Sequence, residues 1–285
     1  YSSEASPDRI VGLAVTSREV WVFNQSTIET FYNAGTSFQR NNGTVIQRGC
    51  SARGSIQVIN GTPFWLGDDG SVYLANGYQP QRISTHAIEA EIGKSQDIST
   101  AHSYFWESRG HLVYCLTIQD GMTFCYDIST QIWHRRESFG ASNSNTWDVV
   151  RVGNKLYNIN RNDSNLYLFD WDYYRDDDAS NMLVCKRRSQ YFHNNQQFLR
   201  CNSMQLVMNT GDVPANTTSE VLFRYSDDFG RTFNNYRKVT LGDVGEYNKK
   251  LQFYNLGRME VRLFEISTSG NSRRELIAAI LDLTQ

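Results

Sequence analysis

The stretch His111-Leu-Val-Tyr-Cys-Leu116, followed after Gln119-Asp120-Gly121 by Thr123-Phe-Cys-Tyr126, decides the fold. Successive side chains of a strand point to opposite faces, so apolar residues at consecutive positions require both faces to be kept from water. Glu19-Val-Trp-Val-Phe23, Ser71-Val-Tyr-Leu74 and Leu166-Tyr-Leu-Phe169 have the same texture. A two-layer sandwich with one wet face per sheet would alternate more strictly. Blades stacked face to face around an axis cover both faces of their middle strands. The expected class is therefore all-β, with β-propeller-like blades of antiparallel strands.

Spacing points the same way. Apolar runs end at Asn24, Asn76, Asp127 and Asp170, which stand 52, 51 and 43 residues apart, close to the ~40–50 of a four-stranded blade. Tyr126-Asp-Ile-Ser-Thr130 with Trp133 has the form of a kelch-type blade turn, its Asp and Thr binding turn amides while the Trp wedges between sheets. One helix is expected, from Ser84 to Gly93, capped by Ser84 or Thr85. Beyond about Asn181 the texture changes, with strands expected over Phe198–Val207, Glu220–Tyr225, Leu251–Phe264 and Glu275–Leu283. Met259 to Ile266 alternates as a sheet with one exposed face should. The expected domains are residues 1–180, blades of a propeller, complete or incomplete, and 181–285, a sandwich-like C-terminal antiparallel β-domain, with the boundary between Arg175 and Asn181.

Composition narrows the function. With 28 basic against 30 acidic side chains in 285 residues, the chain carries no general basic field for nucleic acid or membrane. Its six Trp, sixteen Tyr and fifteen Phe suit a large core. The longest apolar run, Leu276 to Leu281, is far short of the ~20 residues of a membrane span. Cys50, Cys115, Cys125, Cys185 and Cys201 are an odd set without metal-type spacing, expected as free, buried thiols in a reducing cytosol. A hairpin would bring Cys115 close to Cys125. Sequons at Asn24, Asn42, Asn60, Asn162 and Asn216 read as chance matches. Tyr1 in place of an initiator Met suggests a processed, cropped or N-terminally incomplete chain.

Candidate chemistry is sparse. Ser226, Asp228, Gly230, Thr232 and Phe233 fit the Asp-box pattern S-x-D-x-G-x-T-[WF]. Physically this is a structural turn: the carboxylate accepts turn amides, Gly230 takes a positive φ and Phe233 anchors the loop. Asp170 to Asp178 concentrates five carboxylates, and Asp170, Asp172 and Asp176 are the candidates for a hard cation, although the Gly-bearing loop of a calcium motif is absent and a solvated interdomain loop is the preferred reading. The five His show no zinc pattern. Gly49-Cys-Ser-Ala-Arg-Gly54 has the second Gly one place too far for a nucleophile loop, so Cys50 and Ser51 are expected in packing or turn roles. The pairs Arg135-Arg136, Lys249-Lys250 and Arg273-Arg274, with Lys186-Arg187-Arg188, read as solvated or interface charge. No phosphate-binding glycine loop occurs, and neither catalytic residues nor cofactors are expected.

A family resemblance rests on matches in order along the chain: Pro7-Asp8 with Ile10; Ser26-Thr-Ile-Glu29 with Phe31-Tyr32 and Gly35; Gly49 with Ala52; Phe64-Trp-Leu-Gly67 with Gly70 and Val72-Tyr73; Arg82-Ile-Ser-Thr85 with Ala87-Ile-Glu89. Weaker similarity runs through the Asp-box-like turn to Gly257-Arg258 and Val261-Arg262. The sequence resembles the packaged-DNA stabilisation proteins, or tail hubs, of short-tailed double-stranded DNA phages. The family's long N-terminal portion is missing here, which implies either a C-terminal fragment or a short member whose exposed blade faces another chain would cover.

The resemblance implies a non-enzymatic virion protein of the tail, assembled in the bacterial cytoplasm. It implies a homo-hexameric ring below the portal and adaptor that closes the DNA channel after packaging, passes DNA without reading its sequence, and carries tail needle and tailspikes. Three loops are expected to make contacts: Tyr78–Gln81, Ser142–Trp147 and Asp170–Asp178, with Tyr78, Trp147, Trp171, Tyr173 and Tyr174 as candidate interface residues. The competing readings are a sialidase-like propeller enzyme and a kelch-like protein-binding adaptor.

Overall fold

The computed structural model describes residues 7–163, 165–176, 181–195, 197–214 and 217–284. Asp177 and Asp178 of the acidic run, and the Asn216 sequon, lie outside them. Two compact units divide the chain at Phe169 and Asp170.

The first unit is a succession of antiparallel meanders. Blade 1 has strands β1 (Ile10–Val15), β2 (Glu19–Asn24), β3 (Ile28–Asn33) and β4 (Phe38–Arg40). Blade 2 has β5 (Gln57–Ile59), β6 (Thr62–Leu66), β7 (Val72–Asn76) and β8 (Gln79–Arg82). Blade 3 has β9 (His102–Ser108), β10 (His111–Thr117), β11 (Thr123–Asp127) and β12 (Ile132–Arg136). Blade 4 has three strands, β13 (Thr146–Val152), β14 (Lys155–Asn160) and β15 (Leu166–Phe169). Between blades 2 and 3 lies α1 (His86–Ile92), which buries Ile88 and Ile92 beside them. Thr85 is its N-cap without a side-chain bond, while the Ser84 hydroxyl donates to Glu89.

Each central strand sends alternate residues into two different cores. On β6, Phe64 and Leu66 join blade 3 while Trp65 joins blade 1. On β10, Tyr114 and Leu116 pack toward blade 2, and Val113 and Cys115 toward blade 4. Ring pairs mark the three junctions: Phe23–Trp65 at 5.7 Å, Phe64–Tyr114 at 5.3 Å and Trp106–Phe169 at 5.1 Å. Tyr114 also donates its hydroxyl to the Ser55 carbonyl, 2.8 Å away. Gly49 permits a close approach, since a Cβ there would stand 1.8 Å from the Gln25 carbonyl oxygen. Asn76 and Asp127 end, and Asp170 follows, the third strand of their blades, but Asn24 ends the second strand of blade 1. The first interval of the spacing therefore joined non-equivalent positions, the third strand of that blade ending at Asn33.

The second unit contains the β16 (Arg175–Asp176) and β17 (Asn181–Met182) hairpin and two sheets. One sheet runs β18 (Val184–Arg188), β24 (Val261–Ser269), β21 (Glu220–Ser226), β22 (Arg237–Thr240), with β19 (Phe192–His193) also on β24. The other runs β23 (Leu251–Met259), β20 (Leu199–Met208), β25 (Leu276–Thr284). They share a core that includes Met204, Leu206, Val221, Phe223, Phe253 and Phe264, the packing of a β-sandwich. The run Leu251–Phe264 is thus two strands, the chain changing sheets at Glu260. β24 has no wet face either: Arg262 and Glu265, whose polarity produced the apparent alternation, are both buried. Arg262 forks onto Asp227 at 2.6 and 2.7 Å, and Glu265 accepts from its two cross-strand neighbours, Arg188 at 2.7 Å and Arg224 at 2.6 Å. Four cysteines are buried, and Cys185, expected buried, is exposed on β18.

Leu116→Ala, deep between blades 2 and 3, is predicted to lower stability by about 2–5 kcal/mol, whereas Val152→Ala on the outer face of blade 4 changes it by less than about 0.5 kcal/mol. Denaturant titration of both variants checks the face assignment, and equal losses would contradict it.

Candidate functional site

The side chains that face away from the blade junctions form the site. The register of blade 1 pairs Leu13 with Val22, Val15 with Val20, Val20 with Phe31, and Asn33 with Phe38, so these residues share the face turned away from blade 2. Blade 4 pairs Val150 with Tyr157, Tyr157 with Leu168, and Ile159 with Leu166 on the face turned away from blade 3. Leu13 is 63% exposed, Val15 69%, Val152 62% and Leu166 62%. Leu166-Tyr-Leu-Phe169 was expected to be dry on both sides; instead Phe169 packs against blade 3 while Leu166 and Leu168 face water. Blades 1 and 4 thus expose apolar side chains, set among the charged residues Glu29, Arg40, Asp148 and Lys155, on faces of the kind that can mark protein contacts. Sequence reasoning did not single out these residues, although the aliphatic alternation of β13 and β15 was a usable signal.

The expected contact residues are spread over several elements. Tyr78, in the turn after β7, stacks on Trp21 at 6.1 Å and donates its hydroxyl to Glu19, 2.6 Å away. Trp147, at the start of β13, lies parallel to His102 with ring centroids 3.9 Å apart, the imidazole also meeting its carbonyl at 2.7 Å. Burial pushes the His102 pKa down, so a neutral ring is favoured in this stack. Trp171 and Tyr173 are exposed in the second unit, and Arg274 lies over the Tyr174 ring at 5.3 Å.

The remaining motifs form hydrogen-bonded turns. In the Asp-box turn, Asp228 accepts from the Thr232 amide at 2.8 Å and its hydroxyl at 2.6 Å, and the Ser226 hydroxyl donates to it at 2.7 Å. These bonds hold its carboxyl well below the usual range. Gly230 has φ +82°, and Phe233 lies against the Arg224 guanidinium at 4.2 Å, beside the Glu265 ion pairs. In the blade-3 turn, the Asp127 carboxylate accepts from the Ser129 amide and meets His111 at 2.7 Å, while Trp133 donates to the Ile83 carbonyl. Burial pushes the Cys50 thiol up to about 11, and Ser51 donates to the Gly67 carbonyl, which makes this a packed turn. Asp170 accepts from the Asp172 amide at 3.0 Å; among the described residues, no three His, Cys, Asp or Glu side chains gather as metal ligands.

Three four-stranded meanders and one three-stranded meander, followed along the chain by a sandwich, define a propeller-blade-plus-sandwich class of β-protein. The profile of the bacteriophage P22 Gp10 β-propeller matches residues 1–174, and that of the Gp10 β-sandwich matches residues 186–282. The chain belongs to the bacteriophage P22 Gp10 family, the tail-hub and DNA-stabilisation proteins of phages, a structural family of the virion tail. No curated protein matches it in sequence. Among solved structures, the computationally designed Ika4 protein has 15% identity and a TM-score of 0.34 over 59% of this chain and 94% of its own. An exo-β-1,3-galactanase from Phanerochaete chrysosporium has 9% identity and a TM-score of 0.32 over 93% and 78% respectively. An arabinoxylan arabinofuranohydrolase from Bacillus subtilis has 10% identity and 0.28 over 95% and 78%. Likeness this low carries no argument about fold or activity.

Because the folded pKa of Asp228 lies below its unfolded value of ~3.9, the stability it contributes is complete above that value and is lost as pH falls through the folded pKa. Asp228→Asn is therefore predicted to melt below the wild type at pH 7, the gap narrowing as pH falls below about 4. A gap independent of pH would contradict this role.

Proposed function

We propose that this protein is a non-catalytic ring subunit of the phage tail, a homo-hexamer below the portal and adaptor that closes the channel on packaged DNA and carries tail needle and tailspikes. The observation that supports the reading is the set of exposed apolar side chains on the outward faces of blades 1 and 4: Leu13, Val15 and Phe38 on one, Val150, Val152, Leu166 and Leu168 on the other. In water these faces are a liability; in an assembly they are buried area. Ring interfaces are heterologous, one surface meeting a different one on the next subunit until the ring closes. Many such contacts retain DNA together, since opening the ring breaks several at once. The chain would assemble in the bacterial cytoplasm and act in the virion, touching DNA without base readout.

The direct test mixes the purified chain with its portal–adaptor complex and images the product by electron microscopy. The expected result is a ring below the adaptor; a monomer that never joins the complex contradicts the proposal. Leu13→Glu and Leu168→Glu should keep the fold and lower ring assembly at least about tenfold, because each forces a charge into a desolvated contact. Trp147→Ala and Tyr173→Ala should weaken docking onto the connector while the chain stays folded. Turnover of any sialoside or other glycan in a panel would refute the non-catalytic part.

A further inference from the structure

The β20–β23 ladder of the sandwich sets two arginines side by side. Arg200 and Arg258 are direct cross-strand partners, so both guanidinia leave the same face. Like charges in this arrangement are unfavourable unless something negative lies between them. Among the described residues neither guanidinium has a carboxylate partner. The Arg258 guanidinium instead lies over the exposed Phe198 ring at 4.5 Å. Phe198, Arg200, Gly257 and Arg258 line a cavity of about 410 Å³.

The backbone beneath is fixed in an unusual shape. The ladder shifts register between Cys201 and Ser203, opposite Gly257 and Tyr254, with Asn255 at φ +56° and Gly257 at φ +80°. Bulges of this kind re-aim side chains beside binding sites. Two further arginines pin this one. Arg237 donates to the carbonyls of Tyr254 at 2.6 Å and Asn255 at 3.3 Å, and buried Arg262 donates to those of Leu256 at 2.6 Å and Arg258 at 3.1 Å. Asp227 balances Arg262; the ladder also sets Asp282 opposite Ser203 at the bulge, so Arg200, Arg237 and Arg258 stand there against one further carboxylate. A Cβ built on Gly257 meets no atom within 4 Å, so a ligand can approach the backbone there.

We infer that the Phe198–Arg200–Arg258 cavity is a docking site for the carboxylates of an acidic protein segment. Guanidinium forks match carboxylate geometry in two-point contacts, and an adjacent aromatic ring supplies apolar anchorage for the same segment. A nucleic-acid groove would need a longer basic track that follows several phosphates. The cavity has two arginines on a chain of net charge −2.

Fluorescence anisotropy of a labelled hexaglutamate peptide with the full chain tests the site, with inorganic phosphate as competitor and a labelled oligothymidylate as the second probe. The expected result is peptide binding that falls at least tenfold in Arg200→Gln and in Arg258→Gln and is unchanged in Arg273→Gln, whose partner is Glu275. Phosphate should compete weakly. Both cavity variants should melt at or slightly above the wild-type temperature, because the unfavourable pair is relieved. Absence of peptide binding, equal binding in all four proteins, tighter arginine-dependent binding of the oligonucleotide, or melting lowered by several degrees in both cavity variants would each overturn the assignment.

Discussion

The alternation of side chains along a strand, applied where both faces are apolar, is the constraint on which the first unit depends. On β6 the adjacent residues Leu66 and Trp65 belong to different junctions, Leu66 to that with blade 3 and Trp65 to that with blade 1. A one-residue slip would exchange the two sets and empty both junctions. The pairing of β6 with β7 therefore carries the registry of three sheets, not one. The same holds for β10 and β11, where Cys115 and Cys125 face each other toward blade 4 while Tyr114 and Tyr126 turn toward blade 2. The blades are consequently coupled: each needs its neighbour to bury half of its central strands.

The sandwich uses a different device. Its two sheets share one core, and the outer face of β24 is closed by charge rather than by another sheet. Glu265 sits between arginines on both neighbouring strands, so a β24 out of register would leave its buried carboxylate without partners. Removing one partner from such a buried pair costs about 3–5 kcal/mol, which makes it a stronger device for fixing register than for adding net stability. Phe233, brought over Arg224 by the Asp-box turn, helps to shield the pairs from water. That explains why the motif sits at this position in a chain whose family is structural.

The sequence made the local features legible. Consecutive apolar residues in His111–Leu116 require a strand with two dry faces, and Ser226 to Phe233 specifies its turn without help from the rest of the chain. Features that depend on pairing were not legible. The burial of Arg262 and Glu265 needs Asp227, Arg188 and Arg224, which lie 35 to 77 residues away. The alternation of Leu166 and Leu168 is compatible with a covered or an open face, and only their position on the last blade separates the two. Arg200 and Arg258 meet only because two strands far apart in sequence pair across a bulge, a register that no local pattern specifies.

Blades 1 and 4 each expose apolar side chains on the face turned away from their described neighbour. The proposed ring would use the same aliphatic chemistry that joins blades within the chain. Hydroxyl-radical footprinting of the chain alone and in the assembled tail measures this most directly. The account predicts that Leu13, Val15, Val150, Leu166 and Leu168 are modified in the free chain and protected in the particle, while Leu66 and Leu116 are protected in both. Equal modification of the outer residues in the two states would contradict it.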